Sequence, residues 1–253
     1  MSVRLYAFTC GDVTVPADSF LAGEAGALKV PIPAYLIDHP QGKVLFDTGL
    51  NLAIRQHKEE LLGPLAATQE LDFPEGADIV SRLKAMGIEP SQIRYIVNSH
   101  LHYDHCGGNQ HFPRATVMLQ RREWKAAQNP KTWAAGIYVP ADFDHGQKVM
   151  ELEGEHDIYA DGLLVLFPTY GHTPGHQSLR VKLDSGTVVL AGDCCYLKRT
   201  LDTLHMPAGA YKMDQARASV MWLREMQANG ARIFFGHDPE FWKSVPQAPV
   251  AIA

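Results

Sequence analysis

A chain of 253 residues, 46% hydrophobic and 20% charged, has ordinary globular composition, and without a Ser/Gly-rich linker it reads as a single domain over residues 1–253. Its 23 basic against 28 acidic residues, a net charge of −5, supply no evident basic face and argue against a nucleic-acid partner. No stretch approaches the uncharged apolar length of a membrane span, the start MSVRLYAFTCGD lacks a signal-like apolar region, and Cys10, Cys106, Cys194 and Cys195 form no spaced framework, so a cytoplasmic protein with reduced thiols is expected.

In chain order, VRLYAFTC (3–10) opens as a strand. AYLIDHPQGKVLFDTG (34–49) sets two apolar runs about a Pro-Gln-Gly turn, the pattern of a hairpin. Residues 16–31 and 51–76 read as irregular or helical excursions that could cover a site. A helix is expected over 77–86, where Val80, Leu83 and Met86 share a face and Gly87 stops it. RYIVNSH (94–100), ATVMLQ (115–120) and LLVLFP (163–168) read as compact buried strands. HQSLRVKLDSGTVVLAGD (176–193) then repeats the hairpin figure about Asp-Ser-Gly, with Asp193 near its end as Asp47 is near the first, which suggests two related halves. A second helix over 214–229 puts Ala216, Val220, Leu223 and Met226 on one face, with Asp214 as its cap and Gly230 as its stop, and leads into the strand ARIFFGH (231–237).

The densest chemistry lies in SHLHYDHCGGN (99–109), which holds His100, His102, Asp104 and His105. Ionisable groups this crowded are costly to bury unless something pairs with them, and a bound cation is the natural partner. His172, Asp193 and His237 also follow apolar runs, so all of these groups stand at strand-to-loop junctions, where a rigid scaffold presents chemistry. Imidazole and carboxylate are ligands of zinc and its neighbours, and this many suit two ions sharing a carboxylate better than one tetrahedral ion. In an extended segment His100, His102 and Asp104 would alternate onto one side, with His105 turned toward a second ion, and Gly107 and Gly108 would let the backbone pass close to the metals. The isolated His39, His57, His111, His145 and His205 read as surface or internally satisfied residues, His176 as a supporting group, and Cys106 as a small packed side chain.

HLHYDH, the first histidine of GHTPGH, the aspartate of LAGD and the histidine of FFGHD, in this order, resemble the metallo-β-lactamase superfamily over about residues 3–240. Within it the chain is most similar to the N-acyl-homoserine lactone lactonases, through NSHLHYDHCGGN, TPGHQSL, the Asp-x-x-Tyr of DCCY, and IFFGHD. The resemblance implies an α/β fold, an αβ/βα sandwich of two mixed β-sheets flanked by helices, with two Zn2+ ions between the sheets; Co, Mn or Fe are also compatible. By it, His100, His102 and His172 would hold the first ion, Asp104, His105 and His237 the second, and Asp193 would bridge. The implied activity is quorum quenching, by opening the lactone ring of a small-molecule substrate. By the same resemblance, water activated between the ions would attack the carbonyl, Tyr196 would steady the oxyanion, and Asp104 would carry the proton to the leaving ring oxygen. The alternatives are a lactonase for another ring ester, such as a pyridoxolactone, and a glyoxalase II-like thioesterase or β-lactamase on the same scaffold; Tyr196 and HQSL favour the lactonase. A di-iron redox protein of this fold would typically carry glutamate at His102. Where the best-known lactonases place aromatic residues against the acyl chain, residues 51–70 here offer Leu61, Leu62 and Leu65.

Overall fold

The computed structural model describes residues 2–133 and 138–253. Its strands are β1 (Arg4–Pro16), β2 (Ala27–His39), β3 (Gly42–Phe46), β4 (Glu70–Asp72), β5 (Ile93–Val97), β6 (Thr116–Gln120), β7 (Val149–Leu152), β8 (His156–Asp157), β9 (Leu164–Pro168), β10 (Gln177–Leu183), β11 (Gly186–Leu190) and β12 (Arg232–Phe234). Among the described residues they form a seven-stranded sheet, in the order β4-β1-β2-β3-β5-β6-β7, and a five-stranded sheet, β12-β11-β10-β9-β8.

The period of two along each strand sorts its side chains into layers. Leu5, Ala7, Tyr35, Ile37, Val44, Phe46, Val97 and Met118 of the first sheet meet Leu164, Leu166, Leu179, Val181, Val188, Leu190 and Phe234 of the second in one buried cluster between the sheets. Their neighbours in sequence point the other way. Tyr6, Phe8, Leu36, Leu45, Ile96, Val117 and Leu119 pack outward against Ile54, Ile79 and Leu83, which belong to the helices Ile54–Leu62 and Ile79–Ala85. Phe167, Val189, Ile233 and Phe235 pack outward against Val220 and Leu223 of the helix Met213–Ala228. The result is helix, sheet, sheet, helix, the αβ/βα sandwich expected.

The two hairpins occupy equivalent places. β2 and β3 pair antiparallel, and β3 then pairs parallel with β5 after the helix Ile79–Ala85. β10 and β11 pair antiparallel, and β11 pairs parallel with β12 after the helix Met213–Ala228. β3, β5, β11 and β12 therefore deliver their carboxyl ends together, where open α/β sheets place ligands. Gln177, at the start of β10, ties these ends across the sandwich: its Nε2 donates to the carbonyls of Asn98 (2.9 Å) and Met118 (3.1 Å), and its backbone N–H to Ser99 O (2.9 Å).

Several local expectations change. The helix Met213–Ala228 starts after Lys212, so Asp214 is not its cap but lies in its first turn, where its charge still complements the helix dipole. Of the excursion 16–31, residues 27–31 are strand, because Val30 pairs with Val13 and the longer β1–β2 ladder satisfies backbone groups that a loop would leave open. All four cysteines are free and buried, as expected of reduced thiols.

Candidate metal centre

β3 ends at Phe46, and Asp47 follows in the left-handed region, φ 58°, which aspartate is among the few residues besides glycine to tolerate. That turn aims its carboxylate at the next strand end. Oδ1 accepts from Ser99 N (2.7 Å), and Oδ2 from Ser99 Oγ (2.8 Å) and His105 Nδ1 (2.9 Å). Asp47 thus fixes His105, a role its sequence position left open.

Past β5 the chain runs irregularly to His102, whose backbone is extended, then turns into a short helix, Tyr103–Cys106. This overturns the expected alternation. Asp104 does not stay on the side of His100 and His102, because the helical turn swings Asp104 and His105 together toward His237. Gly107 and Gly108 serve a different close approach from the one anticipated. A Cβ on Gly107 would stand 2.1 Å from Asn51 N and one on Gly108 2.5 Å from Thr48 O, so these glycines let the loop after β3 pack on the helix.

The seven expected residues converge in two groups, His100, His102, His172 and Asp193 in one and Asp104, His105 and His237 in the other, with the ligand atoms of each within 4.8 Å of one another. Asp193 reaches both groups. Its Oδ2 lies 3.6 Å from His100 Nε2 and 3.3 Å from His172 Nε2, while its Oδ1 lies 3.3 Å from His105 Nε2 and 3.1 Å from His237 Nε2. Asp104 Oδ2 stands 3.6 Å from His105 Nε2 and 3.7 Å from His237 Nε2.

The outer ring nitrogens of His100, His105, His172 and His237 are occupied, which orients the inner ones, whereas His102 Nε2 is buried without a hydrogen-bond partner. His105 Nδ1 meets Asp47, His237 Nδ1 donates to Pro31 O (2.8 Å), His100 Nδ1 faces Ser99 Oγ (3.0 Å), and His172 Nδ1 faces Tyr196 Oη (3.0 Å). Such partners fix the tautomer of a metal-binding histidine and turn the other nitrogen's lone pair to the ion. The inner nitrogens face each other accordingly, His172 Nε2 at 3.2 Å from His100 Nε2 and 3.1 Å from His102 Nδ1. His105 Nε2 and Asp193 Oδ1 are buried with no aligned hydrogen bond. Convergent lone pairs and carboxylate oxygens, buried and unsatisfied, are the donor set a divalent cation needs.

Electrostatics divides the groups. Burial pushes the His100, His102 and His172 rings toward neutrality, His102 to about 4. Burial opposes charge at His105 and His237 too, but Asp193 and Asp104 outweigh it and raise both rings, with Asp47 assisting at His105. Asp193, which burial alone would raise, is held well below the usual carboxylate range by His105 and His237.

A cleft of about 230 Å³ opens onto these groups. His102, Asp104, His172, Asp193, Tyr196 and His237 line it, together with Tyr103, Val13, Val15, Ser19, Phe20, Leu65 and Gln69. Both excursions therefore contribute to the site, one through Ser19 and Phe20 and the other through Leu65 and Gln69. Phe20 packs edge-on against Tyr196, ring centroids 4.4 Å apart. Of the leucines in 51–70, Leu65 lines the cleft, whereas Leu62 is buried in the core. His176 is outside both groups; its Nδ1 bonds Thr169 Oγ1 (2.8 Å) and its ring lies 5.2 Å from that of His100, a supporting place.

Two sheets that meet over paired histidine and aspartate groups define the class. The sequence pattern of the metallo-beta-lactamase superfamily matches residues 28–237, and the chain belongs to that superfamily and, within it, to the family of the N-acyl homoserine lactonases. The narrower placement rests on full-length likeness. The chain is 33% identical to the N-acyl homoserine lactonase AttM of Azorhizobium caulinodans over 98% of its own length and 97% of the relative's. It is 33% identical to the N-acyl homoserine lactonase AiiA of Bacillus thuringiensis subsp. kurstaki, covering 86% and 85% of the two chains. A solved N-acyl homoserine lactone hydrolase, holding the product N-hexanoyl-L-homoserine at its catalytic metal center, superimposes with a TM-score of 0.90, 30% identity and full coverage of both chains.

Proposed function

We propose that this chain is a zinc-dependent N-acyl-homoserine lactone lactonase, with His100, His102 and His172 holding one ion, Asp104, His105 and His237 the other, and Asp193 shared between them. The observation that carries this reading is the placement of Asp193, one oxygen toward each histidine group, beside a cleft that Tyr196 overlooks. A nitrogen and oxygen donor set without thiolate suits zinc and admits Co, Mn or Fe. Because the ligands come from both sheets, residues 1–253 act as one catalytic domain. Among the described residues no helix is long and apolar enough to cross a membrane. Four unpaired cysteines support a cytoplasmic site of action.

When bound, two divalent ions supply an acidified water and polarise the lactone carbonyl. The chain's own groups manage the rest. Tyr196 Oη donates to the carbonyl oxygen as negative charge gathers there. Asp104 accepts a proton from the attacking water and returns it to the ring oxygen as the acyl C–O bond breaks, leaving an alcohol and a carboxylic acid that ionises by releasing the water's second proton to solvent. Val13, Val15, Phe20 and Leu65 provide an apolar wall for the acyl chain.

Acid release from a panel of homoserine lactones should be rapid with metal, abolished by a chelator and restored by Zn2+, and faster than release from a thioester. Chelator-insensitive hydrolysis would defeat the metal assignment, and a thioester preference would defeat the substrate. Metal uptake should also release protons, since the carboxylates raise His105 and His237 toward their charged forms and a cation must displace what they hold. Affinity should therefore rise with pH through the imidazole range. Calorimetry in buffers of different ionisation enthalpy measures the release, and identical apparent enthalpies in both would contradict it.

A further inference from the structure

We propose that Glu123 is a positioning residue that sets the geometry of His100, His102 and His172 by tying the two loops that carry them to one buried carboxylate. The inference rests on the ligand set proposed above. Glu123 lies in the helix Arg121–Ala127 and is 0% exposed. Its Oε1 accepts from Leu101 N (3.1 Å) and Tyr138 Oη (2.9 Å), and its Oε2 from Thr173 Oγ1 (2.7 Å) and Gly175 N (3.0 Å). Leu101 stands between His100 and His102, and Thr173 and Gly175 follow His172 directly. A Cβ on Gly175 would come within 2.1 Å of Glu123 N, so glycine is what allows that loop to reach the carboxylate. Tyr138, the remaining partner, also packs near His102, ring centroids 5.5 Å apart.

Four donors fill the two oxygens of an ionised carboxylate, which accepts and never donates. Each oxygen takes one backbone N–H and one hydroxyl. A glutamine here would set its amide NH2 against a backbone N–H whichever way it turned, and although a hydroxyl can reverse its role, a backbone N–H cannot. Glu123→Gln therefore frees either Leu101 or Gly175 at nearly constant volume. His105 and His237 depend on other anchors, Asp47 and Pro31 O, so the damage should stay on one side of the centre.

The test titrates the metal-free full-length chain with Zn2+ against a chromophoric chelator. The unsubstituted protein should take up two tight equivalents. Glu123→Gln should weaken one of them by about 10- to 100-fold, the range for outer partners of metal ligands, and leave the other within about twofold. Thr173→Val, which removes one hydroxyl donor and spares both backbone anchors, should weaken the same equivalent by less and carries the test if the glutamine variant fails to fold. On a His172→Ala background, where this group is already broken, Glu123→Gln should shift the surviving equivalent by less than about twofold. Unchanged affinity for both equivalents, equal weakening of both, or an undiminished effect on the His172→Ala background would overturn the role of Glu123 alone. Fewer than two tight equivalents in the unsubstituted protein would overturn the ligand set, and this inference with it.

Discussion

Asp193→Ala is expected to leave a protein that folds but keeps neither ion after dialysis, with kcat/KM for a homoserine lactone lowered by about 1000-fold or more. The expectation follows from the sharing of one carboxylate. Oδ2 lies within 3.6 Å of His100 and His172, and Oδ1 within 3.3 Å of His105 and His237, so alanine removes the one anionic donor that both histidine groups touch. The group with His100, His102 and His172 would be left with three neutral rings and no negative charge. The other would retain Asp104, but it would lose the carboxylate whose oxygen lies nearer to His105 and His237, at 3.3 and 3.1 Å against 3.6 and 3.7 Å for Asp104. Metal content of the dialysed protein reads the first effect, and the loss of Zn2+-induced thermal stabilisation reads it independently, because a ligand that no longer binds the native state cannot shift its melting temperature. Two ions per chain in the dialysed variant would contradict the bridging assignment outright.

What the sequence disclosed, and what it withheld, divides by the range of the interaction. The apolar runs AYLI and KVLF about a Pro-Gln-Gly turn and the histidines placed after RYIVNS and ARIFFG are local patterns, and the hairpins and the strand-end placement of the histidines followed from them, whereas the layered sandwich came from the family resemblance. The family resemblance separated Asp104 from His100 and His102, where extended alternation had grouped them. The geometric cause is a single helical turn beginning at Tyr103, too short to leave a periodic signature. Asp47 was visible as an acidic residue at a hairpin end, but its grip on His105 spans 58 positions and depends on a left-handed backbone that no side-chain pattern encodes. Glu123 stands in no motif that the sequence displays. Its partners lie 15, 22 and 50 to 52 residues away, two of them backbone N–H groups, and an acceptor of backbone donors leaves no complementary residue in the sequence to betray it. Gly107 and Gly108 were legible as a close approach, but not as an approach to Thr48 and Asn51.

Tyr196→Phe should keep two ions at saturating metal and lower kcat for lactones by about 10- to 1000-fold, the span expected for loss of one oxyanion donor. The hydrogen-bond directions at His172 account for this. His172 Nε2 faces His100 and His102 at 3.2 and 3.1 Å; in the proposed ligand set it presents a lone pair to a cation, which leaves the hydrogen on Nδ1 to be donated to Tyr196 Oη at 3.0 Å. The phenolic hydrogen is then free to point into the cleft. Burial, together with Asp193 and Asp104, pushes the phenol well above its usual pKa, so Tyr196 remains protonated and acts as a donor rather than a base. Phenylalanine preserves the edge-on packing with Phe20 while removing both the donor and the acceptor that orients His172. The two losses separate by metal dependence. An orienting role alone would lower metal affinity and be repaired by excess Zn2+, whereas the oxyanion role predicts a deficit in kcat that persists when both equivalents are bound. Lactone kinetics equal to those of the unsubstituted enzyme, or complete rescue by added metal, would remove Tyr196 from the chemical step and leave it as a support for His172.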